Sequence, residues 1–254
     1  MKRRIFGIGF LLSCFILAGV IFVFTRHESQ QDDQQANNQT DSRSRSEQSQ
    51  TPRPEEEPSY DLSSPSSLTV IVNKTRPPLP ADYVPEDLIT PDVRLRLAPS
   101  AEQMRFRRVA HDQLKAMFAA AEADDVQLVF GSGYRSYALQ KQFYESYVAR
   151  DGRETADRYS ARPGTSEHQT GLSFDATSPS QTCHLQICFE DTPQGEWLDG
   201  HAHEYGFIMR YLPGKEAITG YQYEPWHFRF IGKDLARKVH ASDQTLEEYF
   251  KLTD

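Results

Sequence analysis

Residues 28–65 are made almost entirely of Gln, Asp, Ser, Asn, Glu, Arg, Thr and Pro, and almost nothing in that stretch could be buried in a hydrophobic core. Such a segment cannot offset the entropy of folding by burying apolar surface, so it is expected to stay disordered. Any fold is thereby confined to residues 68–254, a single-domain length, with residues 28–67 as a polar linker. As a flexible chain of about 40 residues, the linker would span roughly 35 Å.

On the other side of the linker, Lys2, Arg3 and Arg4 precede an uncharged apolar run over residues 5–24. About 20 apolar residues at a rise of 1.5 Å cross the hydrocarbon core of a bilayer as a helix. Basic residues before the run favour a cytoplasmic N-terminus. Residues 1–27 therefore read as an uncleaved single-pass anchor in the cell membrane, with the folded part extracytoplasmic. A cleaved secretory signal is the main rival, but no small-x-small site precedes Thr25-Arg26-His27. A lipoprotein signal at Cys14 is disfavoured because the apolar run continues past it. All three readings export the folded part.

The net charge of −8 gives a nucleic-acid partner no electrostatic support. Beyond Cys14 the chain has only Cys183 and Cys188, which are expected to pair in an oxidising compartment. No further Cys or His pair at zinc-finger spacing accompanies them.

Within the folded part, apolar residues at helical spacing (Phe106, Val109, Ala110, Leu114, Met117, Phe118, Ala121) predict a helix over 100–123, capped by Ser100. A short buried strand over 126–130 follows. Ser136 caps a second helix on which Leu139, Phe143 and Tyr147 share a face, and Gly152 stops it. A loop over 161–169 leads to a strand over 172–177. A helix over 192–205, a strand over 207–211 and an aromatic strand-like stretch over 221–230 come next. Thr245 and Glu248 form a capping box for a terminal helix. The order lacks a βαβ rhythm, which favours an α+β fold.

Two short stretches carry the chemistry: Ser166-Glu167-His168-Gln169-Thr170-Gly171-Leu172-Ser173-Phe174-Asp175 and Glu224-Pro225-Trp226-His227. Together they offer two imidazoles, a carboxylate and a spare carboxylate, the inventory of a catalytic zinc site with an open position and a base. Gly171 permits the change of direction that would aim His168 and Asp175 at one point. Glu224 and His227 would face opposite ways in a regular strand, so Pro225 and a kink or bulge are needed to bring them together. His201 and His203 lie about 200° apart around a helix and are not expected to act as co-ligands. His111 and His240 are expected at the surface.

At these residues the chain resembles the VanY-like D-alanyl-D-alanine carboxypeptidases, zinc peptidases related in fold to the hedgehog signalling domain. The pattern Ser-x-His-x-x-Gly-x-x-x-Asp is matched by residues 166–175, and Glu-Pro-Trp-His by 224–227. Similarity extends through Val72-Asn73-Lys74, Tyr83-Val84-Pro85, Gly133-Tyr134-Arg135-Ser136 and Tyr205-Gly206-Phe207-Ile208, spanning residues 70–232. The resemblance implies a small antiparallel sheet carrying the site, with helices packed on it. It also implies one Zn²⁺ per chain held by His168, Asp175 and His227, with Glu224 as general base. A divalent ion with one carboxylate and two neutral imidazoles has a net charge of +1, which acidifies a water.

A carboxypeptidase must also grip a terminal carboxylate, and Arg135 offers the planar fork for it. The resemblance adds Gln140 and Ser166 as substrate hydrogen-bonding groups and Trp226 as pocket wall. The expected reaction is removal of the C-terminal D-alanine from peptidoglycan stem peptides by a D,D-carboxypeptidase. The alternative is an L,D-carboxypeptidase that shortens tetrapeptide to tripeptide stems. A non-catalytic cell-wall-binding zinc module would have no need of Glu224. An endopeptidase would need a groove open at both ends.

Overall fold

The computed structural model describes residues 59–253. The expected anchor over 1–27 lies outside them, as does most of the expected linker. Among the described residues no helix is long and apolar enough to cross a membrane. The packed part begins earlier than residue 68: the Tyr60 ring lies 5.1 Å from that of Phe250, and Ile71 N–H donates to the Leu62 carbonyl.

In chain order the elements are β1 (Leu88–Ile89), β2 (Phe106–Arg107), α1 (Arg108–Ala123), β3 (Val129–Ser132), α2 (Tyr137–Asp151), α3 (Arg153–Tyr159), β4 (Ser173–Thr177), α4 (Pro193–His201), β5 (Phe207–Met209), α5 (Glu216–Thr219), β6 (His227–Phe230), α6 (Lys233–Ser242) and α7 (Leu246–Tyr249). Strands β1 and β2 form a two-stranded ribbon, and the main sheet has the order β3-β4-β6-β5. Every pairing in the main sheet is antiparallel. The fold is α+β, as expected.

Strand alternation divides the sheet into two faces. Phe174 pairs with Phe228, and both belong to an aromatic core that also holds Phe106, Phe130, Phe207 and Phe230. Helix α1 covers this face with Leu114, Met117, Phe118 and Ala121. The opposite face carries Ser173 against Arg229 and Asp175 against His227, all of them buried. One sheet thus buries an apolar face and a polar one.

Several boundaries differ from those expected. Helix α1 starts at Arg108 rather than Ser100, because Phe106 is drawn into β2 opposite Ile89 and residues 102–104 form a separate 3-10 turn. Val109, expected in the core, is 48% exposed. Strand β3 begins three residues later than expected, at Val129, and extends through Gly131 to Ser132. In α2 the buried residues are Gln140 and Tyr144, whereas Phe143 and Tyr147 line a cleft. The Ser136 cap on α2, the Thr192 cap on α4 and the Thr245/Glu248 capping box are all present.

Candidate active site

Three elements bring the predicted ligands to one point. Asp175 and His227 are cross-strand partners on β4 and β6, so their side chains emerge side by side on the polar face. His168 comes from a 3-10 turn over Glu167–Thr170, which ends on Gly171 at φ 64°. That left-handed residue turns the chain directly into β4. Glu224 reaches the cluster without a bulge in β6. The strand begins only at His227, and a turn through Pro225 and Trp226 precedes it, closed by His227 N–H donating to the Glu224 carbonyl. The bulge in this sheet lies instead in β3, opposite Asp175.

The geometry fits a zinc ion. His168 Nε2 lies 3.3 Å from Asp175 Oδ2, and His227 Nδ1 lies 3.1 Å from Asp175 Oδ1. Ligand atoms about 2.0–2.1 Å from a tetrahedral ion sit roughly 3.3 Å apart. All three side chains are buried, and their potential ligand atoms lie within 4.8 Å of one another. The second nitrogen of each ring is turned to an outer acceptor, as in metal-ligating histidines generally. His168 Nδ1 meets the Gly133 carbonyl at 2.6 Å, and His227 Nε2 faces Glu167 Oε2 at 3.5 Å. Ser132 Oγ donates to Asp175 Oδ2 at 2.5 Å.

The charges of the protein's own groups favour a cation in this position. Burial alone would push the His227 imidazole down, but its contacts with Asp175 and Glu167 hold it up at about 9. Burial would likewise raise Asp175, yet the two imidazoles keep it well below the usual carboxylate range. A proton or a metal ion can satisfy that demand. Glu224, with Oε2 3.8 Å from His227 Nδ1, is pushed up to about 7 by burial. A carboxyl poised near neutrality is suited to exchanging protons.

The cluster opens into a cleft of about 790 Å³ lined by Arg135, Ser166, Glu224 and Trp226 together with the three ligands. Arg135 Nη2 lies 3.9 Å from Asp175 Oδ2, and Arg135 Nε is buried with no hydrogen-bond partner among the described residues. Gln140 lies behind Arg135 rather than in the cleft wall. Its Oε1 accepts from Arg135 Nη1 at 2.9 Å, and its Nε2 donates to the Ala161 carbonyl at 2.7 Å. With its amide engaged at both ends, Gln140 braces the guanidinium and does not line the cleft, where it was expected to meet substrate. Cys183 and Cys188 are joined as a disulfide.

His201 and His203 stay away from the cluster: His201 stacks on Trp197, and His203 stacks on His240 at 3.8 Å between centroids.

The sequence did not point to the ions behind the cluster. Glu167 Oε1 accepts from Arg210 Nε at 2.7 Å and from Arg229 Nη1 at 2.8 Å. Arg210 also grips both oxygens of Glu247, which in turn accepts from Asn73. Both arginines are 0% exposed. Glu167 is held below the usual carboxylate range, since the two arginines outweigh its burial. The available signal was the alternation of β6, which places Arg229 on the same face as His227.

Residues 103–233 match the family described as VanY, D-alanyl-D-alanine carboxypeptidase. YodJ of Bacillus subtilis (strain 168), a carboxypeptidase by name, is 42% identical over 190 residues, covering 75% of this chain and 69% of that protein. The structure of the LdcB LD-carboxypeptidase superposes with a TM-score of 0.70 at 42% identity, covering 75% of this chain and 88% of the other. A VanY D,D-pentapeptidase mutant from a VanB-type resistance cassette, solved with Zn(II), gives a TM-score of 0.57 at 33% identity, covering 74% and 99%. With its fold, its ligand geometry and these similarities in agreement, the chain belongs to the VanY family of carboxypeptidases and is a zinc metallopeptidase.

Proposed function

We propose that the protein removes the C-terminal D-alanine from peptidoglycan stem peptides outside the cell membrane, tethered there by residues 1–27. The observation that carries this reading is Arg135 in the same cleft as the His168, Asp175 and His227 cluster. A guanidinium in that place grips a free terminal carboxylate and favours cutting at a chain end. Sequence alone put the D,D reaction first. The likeness to an LD-carboxypeptidase, 42% identity against 33% for the D,D-pentapeptidase, supports the L,D reaction, which is the reading we adopt.

His168 Nε2, Asp175 and His227 Nδ1 would hold one ion. Bound there, Zn²⁺ supplies a Lewis acid that polarises the scissile carbonyl and acidifies water. Glu224 takes a proton from the attacking water and delivers it to the leaving amine. Glu167 Oε2, facing His227 Nε2 at 3.5 Å, favours the tautomer that leaves Nδ1 free to bind, while Ser132 steadies Asp175. Arg135, braced by Gln140, holds the terminal carboxylate in register. Trp226 walls the pocket, and Ser166 presents its hydroxyl to the substrate backbone.

Mass spectrometry of defined stem peptides incubated with the full chain tests the reading. Loss of one alanine from the tetrapeptide and not the pentapeptide is expected. Loss from the pentapeptide alone restores the D,D assignment, and no loss from either peptide overturns the reading.

A further inference from the structure

The bulge in β3 has a use that the proposed reaction leaves unassigned. Phe130 pairs with Ala176 and Ser132 with Asp175, so Gly131 drops out of the ladder between them. Arg96 Nε donates to its carbonyl at 2.9 Å. The backbone of Arg96 is fixed as well, because its N–H donates to the Phe130 carbonyl and Leu95 bridges Phe130 in parallel. Arg96 is partly buried, which lowers the pKa of its guanidinium. Among the described residues the terminal nitrogens of Arg96 meet no acceptor and no carboxylate lies within ion-pair distance. The Asp175 carboxylate attracts this guanidinium only from beyond ion-pair distance, so its terminal nitrogens are open to a closer anionic partner.

His184 reaches Gly131 from the disulfide loop. In that loop Gln181, Cys183 and Leu185 adopt left-handed φ of 56°, 57° and 54°, which non-glycine residues hold only when their surroundings impose it. The staple between Cys183 and Cys188 closes the loop. His184 is pressed so near β3 that a Cβ at Gly131 would lie 3.4 Å from its Cε1 and 2.7 Å from the Asp175 carbonyl. Its Nδ1 is buried without a hydrogen-bond partner among the described residues. Arg96 and His184 line the same cleft as Arg135 and the ligand cluster.

We propose that Arg96 and His184 form a second carboxylate subsite, which takes a carboxylate carried by the stem peptide on the N-terminal side of the scissile bond. This rests on the reading of the protein as a stem-peptide carboxypeptidase, in which Arg135 is already committed to the terminal carboxylate. A guanidinium fork beside an imidazole N–H matches the two oxygens of a carboxylate, and binding would give Arg96 a directly paired carboxylate. Stem peptides whose third residue is diaminopimelate carry such a carboxylate at the end of that side chain. Those with lysine at the third position end in an ammonium instead.

The test compares Arg96→Gln and His184→Ala with the unaltered full chain on two stem peptides, one with diaminopimelate and one with lysine at the third position. Zinc content is measured in parallel. Arg96→Gln is expected to raise KM about tenfold to a hundredfold on the diaminopimelate peptide, with kcat, zinc content and the lysine-peptide KM little changed. His184→Ala, on an exposed loop, should shift the same KM in the same direction by a smaller factor. Equal losses on both peptides, or no loss on either, overturn the subsite while leaving the carboxypeptidase reading intact. If Arg96→Gln fails to fold, His184→Ala decides by the same contrast. Failure of the unaltered chain to cut either peptide overturns both proposals.

Discussion

The two faces of the β3-β4-β6-β5 sheet are equally buried and do opposite work. On the apolar face Phe174 lies 5.5 Å from Phe130 and 5.5 Å from Phe207, with Phe106, Phe118 and Phe228 around it. Such packing is non-directional and stabilises in proportion to the area removed from water. On the polar face Asp175, His227 and Arg229 are buried among other charged groups. Burying ions there costs desolvation that the ion pairs only roughly offset. The polar face therefore adds little to folding, and its value is to fix side chains in one arrangement. Even within it two regions differ. Around Arg210 nearly every donor has its acceptor, whereas towards the cleft Glu167 Oε2, His227 Nε2 and Arg135 Nε lack hydrogen-bond partners. The satisfied region acts as a rigid backing, and the unsatisfied one as a place where ligands complete the structure.

Substitutions can separate the two faces. Phe174→Ala should cost about 3–5 kcal/mol of stability by opening a cavity in the apolar face. Denaturant unfolding measures this, and the zinc content of the protein that remains folded should not change. Glu247→Gln strikes the rigid backing and should cost about 3 kcal/mol, because Arg210 loses its two-oxygen partner. This loss should depend on pH. Burial would raise the Glu247 carboxyl, but Arg210 and the hydrogen bonds from Asn73 and the backbone hold it below its ordinary value. A carboxyl depressed in the folded state contributes stability that is fully present above its unfolded pKa, about 4.3. That contribution is lost as pH falls through the folded value. The gap between parent and variant should therefore close in acid, and a gap that persists there would contradict the ion-pair account. Glu167→Gln tests the joint between backing and cleft: weaker orientation of His227 should lower zinc affinity about tenfold to a hundredfold in chelator competition. An unchanged affinity would detach Glu167 from the metal centre.

What could be read from sequence follows the same division. The apolar face was legible because Phe174 and Ala176 alternate with polar residues, and because caps such as Ser136 announce themselves locally. The ligand set was legible because its residues stand in two compact motifs. Phe106 was misread because helical spacing alone cannot tell a first helical turn from a short strand that pairs with Ile89. Phe143 and Tyr147 share a helix face by their spacing, but spacing does not say whether such a stripe packs in the core or walls a cleft, as it does here. The arginine network was invisible for a physical reason. Charged residues are ordinarily solvated, and Glu167 meets Arg210 and Arg229 from 43 and 62 residues away. Only the assembled fold brings them together.

The claim at the centre is that a zinc ion and Glu224 divide the chemistry between them. Glu224→Gln in the full chain, assayed for bound zinc and for turnover of a stem tetrapeptide, tests it directly. The expected result is about one zinc per chain with turnover reduced about 10²- to 10⁴-fold. Turnover at the parent rate, with zinc still bound, would contradict it.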